Sequence, residues 1–246
     1  MQILWLDCRS EFTGEALVGA LADLGVSPSI FEWELSGVEL GDFHLHFDRE
    51  ETEGIRAVRF GVHGGILHME HGHSSKHDDD HSSAHRLPYP KLRTQIETAT
   101  VPDFVKLHSL GILHRIAIAQ AELAKISLDQ IEFPESDALD WLVTAVLSCI
   151  GLEQLQASQM YFQQRSQPQP AERPPSHAAL SRVILSKAST NEQIAASLLG
   201  AAILAEFDAI LTTPPELKSV KIGHGLGPGD ENGESAPLRA TLGEIE

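Results

Sequence analysis

The opening of the chain constrains its fold most. Met1 to Leu6 is a short apolar run suited to a buried strand, and Leu17, Ala20, Leu21 and Leu24 follow it at helical spacing. Thr13 is placed to cap that helix and Gly25 to end it. A strand, a tight corner and a helix in that order is how α/β folds begin, because the helix must lay its apolar stripe on the strand's sheet. The expected class is therefore α/β, with α+β as the alternative: a mixed sheet with packed helices and a histidine-rich loop inserted.

His44 and Phe47, then Ile55 to Val62, form two strand-like segments separated by Asp48 to Thr52, the pattern of a hairpin. From His63 to His85 no period survives, and His, Ser, Asp and Gly predict a flexible loop or linker. Pro102 and Asp103 open a long helix with Leu107, Leu110, Leu113, Ile116, Ala117 and Ala121 on one side. Leu128 to Phe133 is strand-like, and Leu139, Leu142, Val143, Val146 and Ile150 line a helix that ends at Gly151. Gln163 to His177, rich in Gln, Pro and Ser, reads as a second loop. Ser189 and Thr190, with Glu192 and Gln193 three residues on, predict a helix through Ile194, Leu198, Ile203 and Phe207 that Pro214 and Pro215 stop. Val220 to Ile222 is strand-like, Gly223 to Ala236 is rich in glycine and acid, and Leu238 to Leu242 is a last short segment. The chain thus divides into a strand and helix part at 1–62, the histidine-rich loop at 63–86, and a helical and mixed part of the same region at 87–246.

At 246 residues such a chain buries a core without disulfides or a structural metal. Lys and Arg number 18 against 35 Asp and Glu, a net charge of −17 that argues against tracking a nucleic-acid backbone or an anionic membrane. Protonating all 13 histidines would bring the charge to −4, so it responds steeply to mild acid. Cys8 and Cys149, the only cysteines, fit a reducing compartment. Met1 to Asp7 lacks the basic region of a signal peptide, and Trp141 to Leu152 is too short to span a membrane, so the cytoplasm is the expected location.

Chemistry concentrates in His63, His68, His71, His73, His77, His81 and His85, with Glu70 and the run Asp78, Asp79, Asp80 among them. Neutral imidazole with carboxylate suits nickel, zinc and copper, and the lack of thiolate argues against a closed structural zinc site. Irregular spacing predicts several weak sites that collect metal; a solvated linker is the plain alternative. A second feature is carboxylates at strand-to-helix corners, Asp7 and Glu15 at one, Glu132, Glu135, Asp137 and Asp140 at another. Ligands in open α/β sheets sit outside the carboxyl ends of strands, so the two corners could converge on one cation. Acids in a first helical turn also stabilise the helix with no ligand. Gly223-His224-Gly225-Leu226-Gly227 is a weak phosphate-loop signal, because Pro228, Asp230 and Glu231 follow it and no helix start does. Cys8 reads as a small buried residue rather than an activated thiol.

Several short segments stand in a definite order along the chain. Leu6-Asp7-Cys8-Arg9-Ser10, Gly14-Glu15, Gly19-Ala20-Leu21 and Asp23-Leu24-Gly25-Val26 open the chain, and Gly54-Ile55 precedes the histidine-rich loop. Ile131-Glu132-Phe133-Pro134-Glu135 leads to Asp140, followed by Gly200-Ala201-Ala202-Ile203-Leu204, Ile222-Gly223-His224-Gly225-Leu226-Gly227, Leu238-Arg239 and Leu242-Gly243-Glu244. In order and spacing these resemble the N-terminal region of the LarC family, the nickel-insertion proteins of the nickel-pincer nucleotide cofactor. The chain departs from the family pattern where Glu132 and Pro134 replace two histidines, Glu11 a glycine and Glu15 an aspartate, and the Thr-Pro before Gly200 is absent. The resemblance implies Asp7, Ser10, Glu15, Glu135 and Asp140 as catalytic positions. It also implies a C-terminal domain that handles a cytidine nucleotide, so that full nickel chelatase (lyase) activity is expected only with such a half and the pincer nucleotide precursor.

Three functions are therefore expected in turn. The first is a LarC-like protein that binds Ni(2+), or Zn(2+) or another divalent ion in its place, and assists nickel insertion. The second is a divergent, non-catalytic metal store or interaction module. The third is a metal-dependent hydrolase using Glu135 and Asp140. Self-association is left open.

Overall fold

The computed structural model describes residues 1–41, 43–64, 85–165, 175–187, 194–228 and 236–245. β1 (Gln2–Cys8) leads through a corner into α1 (Gly14–Asp23), whose first turn is closed by the Thr13 hydroxyl oxygen accepting from the Ala16 amide at 3.1 Å. α2 (Pro28–Leu35) follows, then the hairpin of β2 (Phe43–Thr52) and β3 (Ile55–Gly64). β4 (Arg86–Pro88) pairs with β5 (Glu132–Pro134); between them lie α3 (Tyr89–Thr98), α4 (Asp103–Ala124) and a 3₁₀ turn at Leu128–Gln130. α5 (Glu135–Gln154), β6 (Gln159–Gln164), α6 (Pro175–Lys187), α7 (Leu198–Glu206), β7 (Lys218–Leu226) and β8 (Leu238–Glu244) complete the order.

Six strands form one sheet in the order β2-β3-β7-β8-β1-β6, with β1 parallel to β6, β3 parallel to β7 and the other pairs antiparallel. The class is α/β with a mixed sheet. α1 lies on one face so closely that a Cβ at Gly225 would stand 1.9 Å from the Ala16 carbonyl oxygen. Behind α1, α5 is buried on almost every side from Ala138 to Leu152 and carries the core between the sheet and α4 and α7. Among the described residues no helix is long and apolar enough to cross a membrane.

Several boundaries differ from expectation. Asp48 to Thr52 belong to β2, and the hairpin turns instead at Glu53 and Gly54, both with positive φ (52° and 74°), the geometry a two-residue turn requires. Charged residues fit that strand because alternate positions of β2 face solvent. Leu107 points outward at 65% exposure, while Val105, Ser109 and Ile112 join the inner face of α4. α5 continues past Gly151, which helps seat Leu21: a Cβ there would meet the Leu21 side chain at 2.7 Å. The last helix starts at Leu198, capped by the Ser197 hydroxyl oxygen, because Ala195 and Ala196 are held extended against Phe12 and Gln164. It ends at Glu206, well before Pro214; Ser189 and Thr190 lie outside the described residues. β6 and α6 take up the two ends of the stretch read as a second loop, and Gly223 to Leu226 are strand, not turn.

Candidate functional site at the strand ends and acidic corners

Asp7 lies near the carboxyl end of β1, only 6% exposed, and Arg165, one residue past β6, grips it with both arms of its guanidinium. Nε donates to Oδ1 at 2.8 Å and the second arm stands 2.6 Å from Oδ2. Such a fork-on-fork pair is the strong form of an ion pair. Ser10 donates its hydroxyl to the Ala236 carbonyl at 3.0 Å. Burial pushes the Cys8 thiol up to about 12, so it is no activated nucleophile.

Of the second acidic corner, Asp140 is near enough for its charge to act on Glu15 at the first. Burial holds the Glu15 carboxyl above its ordinary range, opposed by hydrogen bonds from its own amide and from Thr13 and reinforced by the charge of Asp140. Asp140 is raised in turn by desolvation and by Asp137. Opposite Asp137, at 3.9 Å, stands the Nε2 atom of His177, whose ring packs edge-on against Trp141. His177 was legible only as the end of a loop; no spacing in the sequence ties it to Asp137. Glu135 is half-buried, and its amide is bonded to the carbonyl of His85 at 2.9 Å, so the far end of the histidine-rich stretch is fastened beside the second corner.

The near end of that stretch, His63, is exposed on β3 directly opposite His44 of β2, and its ring centroid lies 4.5 Å from that of His46. Paired residues and their i+2 neighbours share a sheet face, so His44, His46 and His63 stand together. His44 and His46 were missed in the sequence; their alternation on a strand is the signal that could have found them. His68, His71, His73, His77 and His81 lie outside the described residues. Among the described residues no three His, Cys, Asp or Glu side chains come close enough to hold a metal ion.

Beside Asp7 a cavity of about 300 Å³ opens, lined by Arg9, Glu53, Ile55, Arg165, Ile222, His224, Ala236, Pro237 and Arg239 in addition to Asp7 itself. Burial holds the His224 imidazole below its ordinary range; Asp23 opposes that and Arg239 adds to it, so the ring is neutral at neutral pH.

The raised Glu15 carboxyl gives a stability prediction. Its proton is held more tightly in the folded chain than in the unfolded one, so at neutral pH the ionised group weakens the fold. Glu15→Gln is expected to raise the melting temperature at pH 7, and the gain should vanish as pH falls through the unfolded carboxyl range near 4.3. Equal melting temperatures for variant and parent at pH 7 would show that Glu15 carries no such burden.

The nickel insertion protein family matches residues 4–246. Among similar proteins are the pyridinium-3,5-bisthiocarboxylic acid mononucleotide nickel insertion proteins of Staphylococcus epidermidis, 30% identical over 64% of this chain and 36% of its own length, and of Geobacillus kaustophilus, 33% identical over 63% and 36%. That of Desulfitobacterium hafniense is 28% identical over all of this chain and 59% of its own. The matched part therefore spans between about a third and three-fifths of these relatives. No solved structure matches. A match running almost from one end of the chain to the other places it, plainly, in the nickel insertion protein family.

Proposed function

We propose that this chain collects nickel and helps deliver it into a pyridinium bisthiocarboxylate mononucleotide, the substrate named for its relatives. Nickel is cargo here, with zinc or another divalent ion as its competitor. The observation that carries the reading is a run of imidazoles bounded by His63, grouped with His44 and His46, and by His85, fastened beside Glu135. Metal gathered by His68, His71, His73, His77 and His81 would pass between an exposed histidine face and the corner of Glu15, Glu135 and Asp140. The described imidazoles supply too few donors on their own, so further donors from that run would complete each site. Asp7 and Ser10 then shape the neighbouring strand end. A nucleotide-handling C-terminal half is the partner expected for turnover, and a reducing cytoplasmic setting fits a substrate with two oxidisable thiocarboxylates.

Equilibrium dialysis at neutral pH tests the reading: nickel should bind at more than one site per chain, with affinity of micromolar or better. Binding should weaken below roughly pH 6, because imidazoles with a pKa near 6.5 then take protons in place of metal. No retention of nickel in that range would end the proposal. One observation favours a second reading as a metal store without turnover. Glu132 and Pro134 stand where the family pattern has histidines, and Glu132 is taken up by Arg86 at 3.5 Å. Supplying the C-terminal half and the precursor separates the two, since only the first reading predicts metallated product.

A further inference from the structure

Four paired positions place Gln163, Asp7, Arg239 and His224 in one row across β6, β1, β8 and β7. Gly223 and Gly225 meet α1, so this row lies on the opposite face of the sheet. The cavity beside Asp7 opens on that row. Three guanidinium groups, from Arg9, Arg165 and Arg239, line it against two carboxylates, Asp7 and Glu53, a local excess of positive charge in a chain whose net charge is −17. Asp7 is already matched by Arg165. Among the described residues the Nε atom of Arg239 is buried with no hydrogen-bond partner, and the same is true of Trp5 Nε1 and the Thr241 hydroxyl in the next row and of the Gln163 carbonyl oxygen, an acceptor. Desolvated donors left unmatched are costly, so Arg239 Nε and Trp5 Nε1, with the Thr241 hydroxyl beside them, mark this face as one that meets a partner molecule.

We propose that this cavity binds a phosphomonoester, and that, resting on the function proposed above, it holds the phosphate of the mononucleotide that receives nickel. Planar guanidinium groups present paired N–H donors that match phosphate oxygens, and their charge persists at every working pH. Arg239 brings its guanidinium to the cavity wall, Arg165 is fixed in place by Asp7, and His224 offers one further N–H. Ile55 and Ile222 leave an apolar wall for the rest of the ligand. A volume of about 300 Å³ is at the small end of ligand pockets, right for a mononucleotide and too small for a large cofactor. None of its described lining residues belongs to the histidine-rich stretch, whose proposed cargo is a cation and not an anion.

Calorimetric titration of the full chain, at neutral pH and low salt, tests the proposal with nicotinamide mononucleotide, a pyridinium mononucleotide, its riboside without phosphate, and inorganic phosphate. The mononucleotide should bind, inorganic phosphate should compete with it, and the riboside should bind at least tenfold more weakly. Arg239→Gln should lose at least tenfold in affinity for the mononucleotide. Arg93→Gln, which removes only an exposed pair within α3, should lose nothing. Should Arg239→Gln fail to fold by circular dichroism, Arg9→Gln takes its place with the same expectation. Equal binding of mononucleotide and riboside, no binding of either at millimolar concentration, or unchanged affinity in a folded variant overturns the site. Nickel uptake measured on the same samples keeps the two readings apart. A chain that takes nickel but no phosphate loses only this cavity, whereas one that takes phosphate but no nickel keeps the anion site and loses its link to nickel delivery.

Discussion

A chain with His68, His71, His73, His77 and His81 replaced together by Asn is expected to lose most of its nickel while melting at the parent temperature. Asparagine keeps the polarity of the segment but removes the imidazole lone pair that a borderline-soft divalent ion prefers. All five lie outside the described residues, and the described sheet and buried core are built without them. The parent should hold more than one ion per chain after dialysis, and the variant should hold less than one. His44, His46, His63 and His85 remain, so a weaker residue of binding is expected to survive, and removing His46 and His63 as well should abolish it. Acidifying the parent below roughly pH 6 should release nickel at least as fully as the fivefold replacement does at pH 7, since protonated imidazole is no ligand. A fivefold variant that retains as much nickel as the parent would move the metal elsewhere in the molecule and sink the collecting role.

The second large effect is structural. Gly225→Ala is expected to destabilise the chain by about 3 kcal/mol or more, because overpacked positions with no side chain to yield lie at the upper end of such costs. An added Cβ would stand 1.9 Å from the Ala16 carbonyl oxygen and 2.4 Å from the Ala20 amide nitrogen, and both belong to helix backbone. Only retreat of α1 from β7 could relieve it. For a chain of this size that corresponds to a fall in melting temperature of roughly 6 °C or more. Gly61→Ala is the control, since a Cβ there meets nothing within 4 Å. Like melting temperatures for the two variants would show that the α1–β7 contact is loose.

Why was β1 with α1 readable and the end of β7 not? The opening elements announce themselves through period and caps: Leu17, Ala20 and Leu21 are all fully buried, and Thr13 caps as its side chain allows. The His224 stretch misleads because glycine there signals a turn by composition, whereas it serves the close seat of α1 on a strand. α2, α3 and α6 carry short or partly polar patterns that local spacing does not separate from loops. The candidate site divides in the same way. Its acids and histidines are visible as residue types, and the charge of Asp140 does reach Glu15, although no three such groups gather for a metal among the described residues. Arg165 has no such signal, and Arg239 shows only within the Leu238-Arg239 segment, with nothing to tie it to Asp7. Their places beside Asp7 follow from β6 and β8 flanking β1, a fact of topology and not of spacing.

That topology also dictates when the protein can become itself. β1 sits inside the sheet with Gln2 opposite Glu244 and Asp7 opposite Arg239. A ribosome must therefore release almost everything between them before the first strand finds one of its neighbours, and Ile3, Leu4 and Leu6 wait in the open meanwhile. Pairings so distant along the chain form slowly and leave sticky segments exposed to other molecules. Synthesis of β8, and not of β1, sets the clock for that pairing, and a holding chaperone has its natural target in Ile3, Leu4 and Leu6 until then.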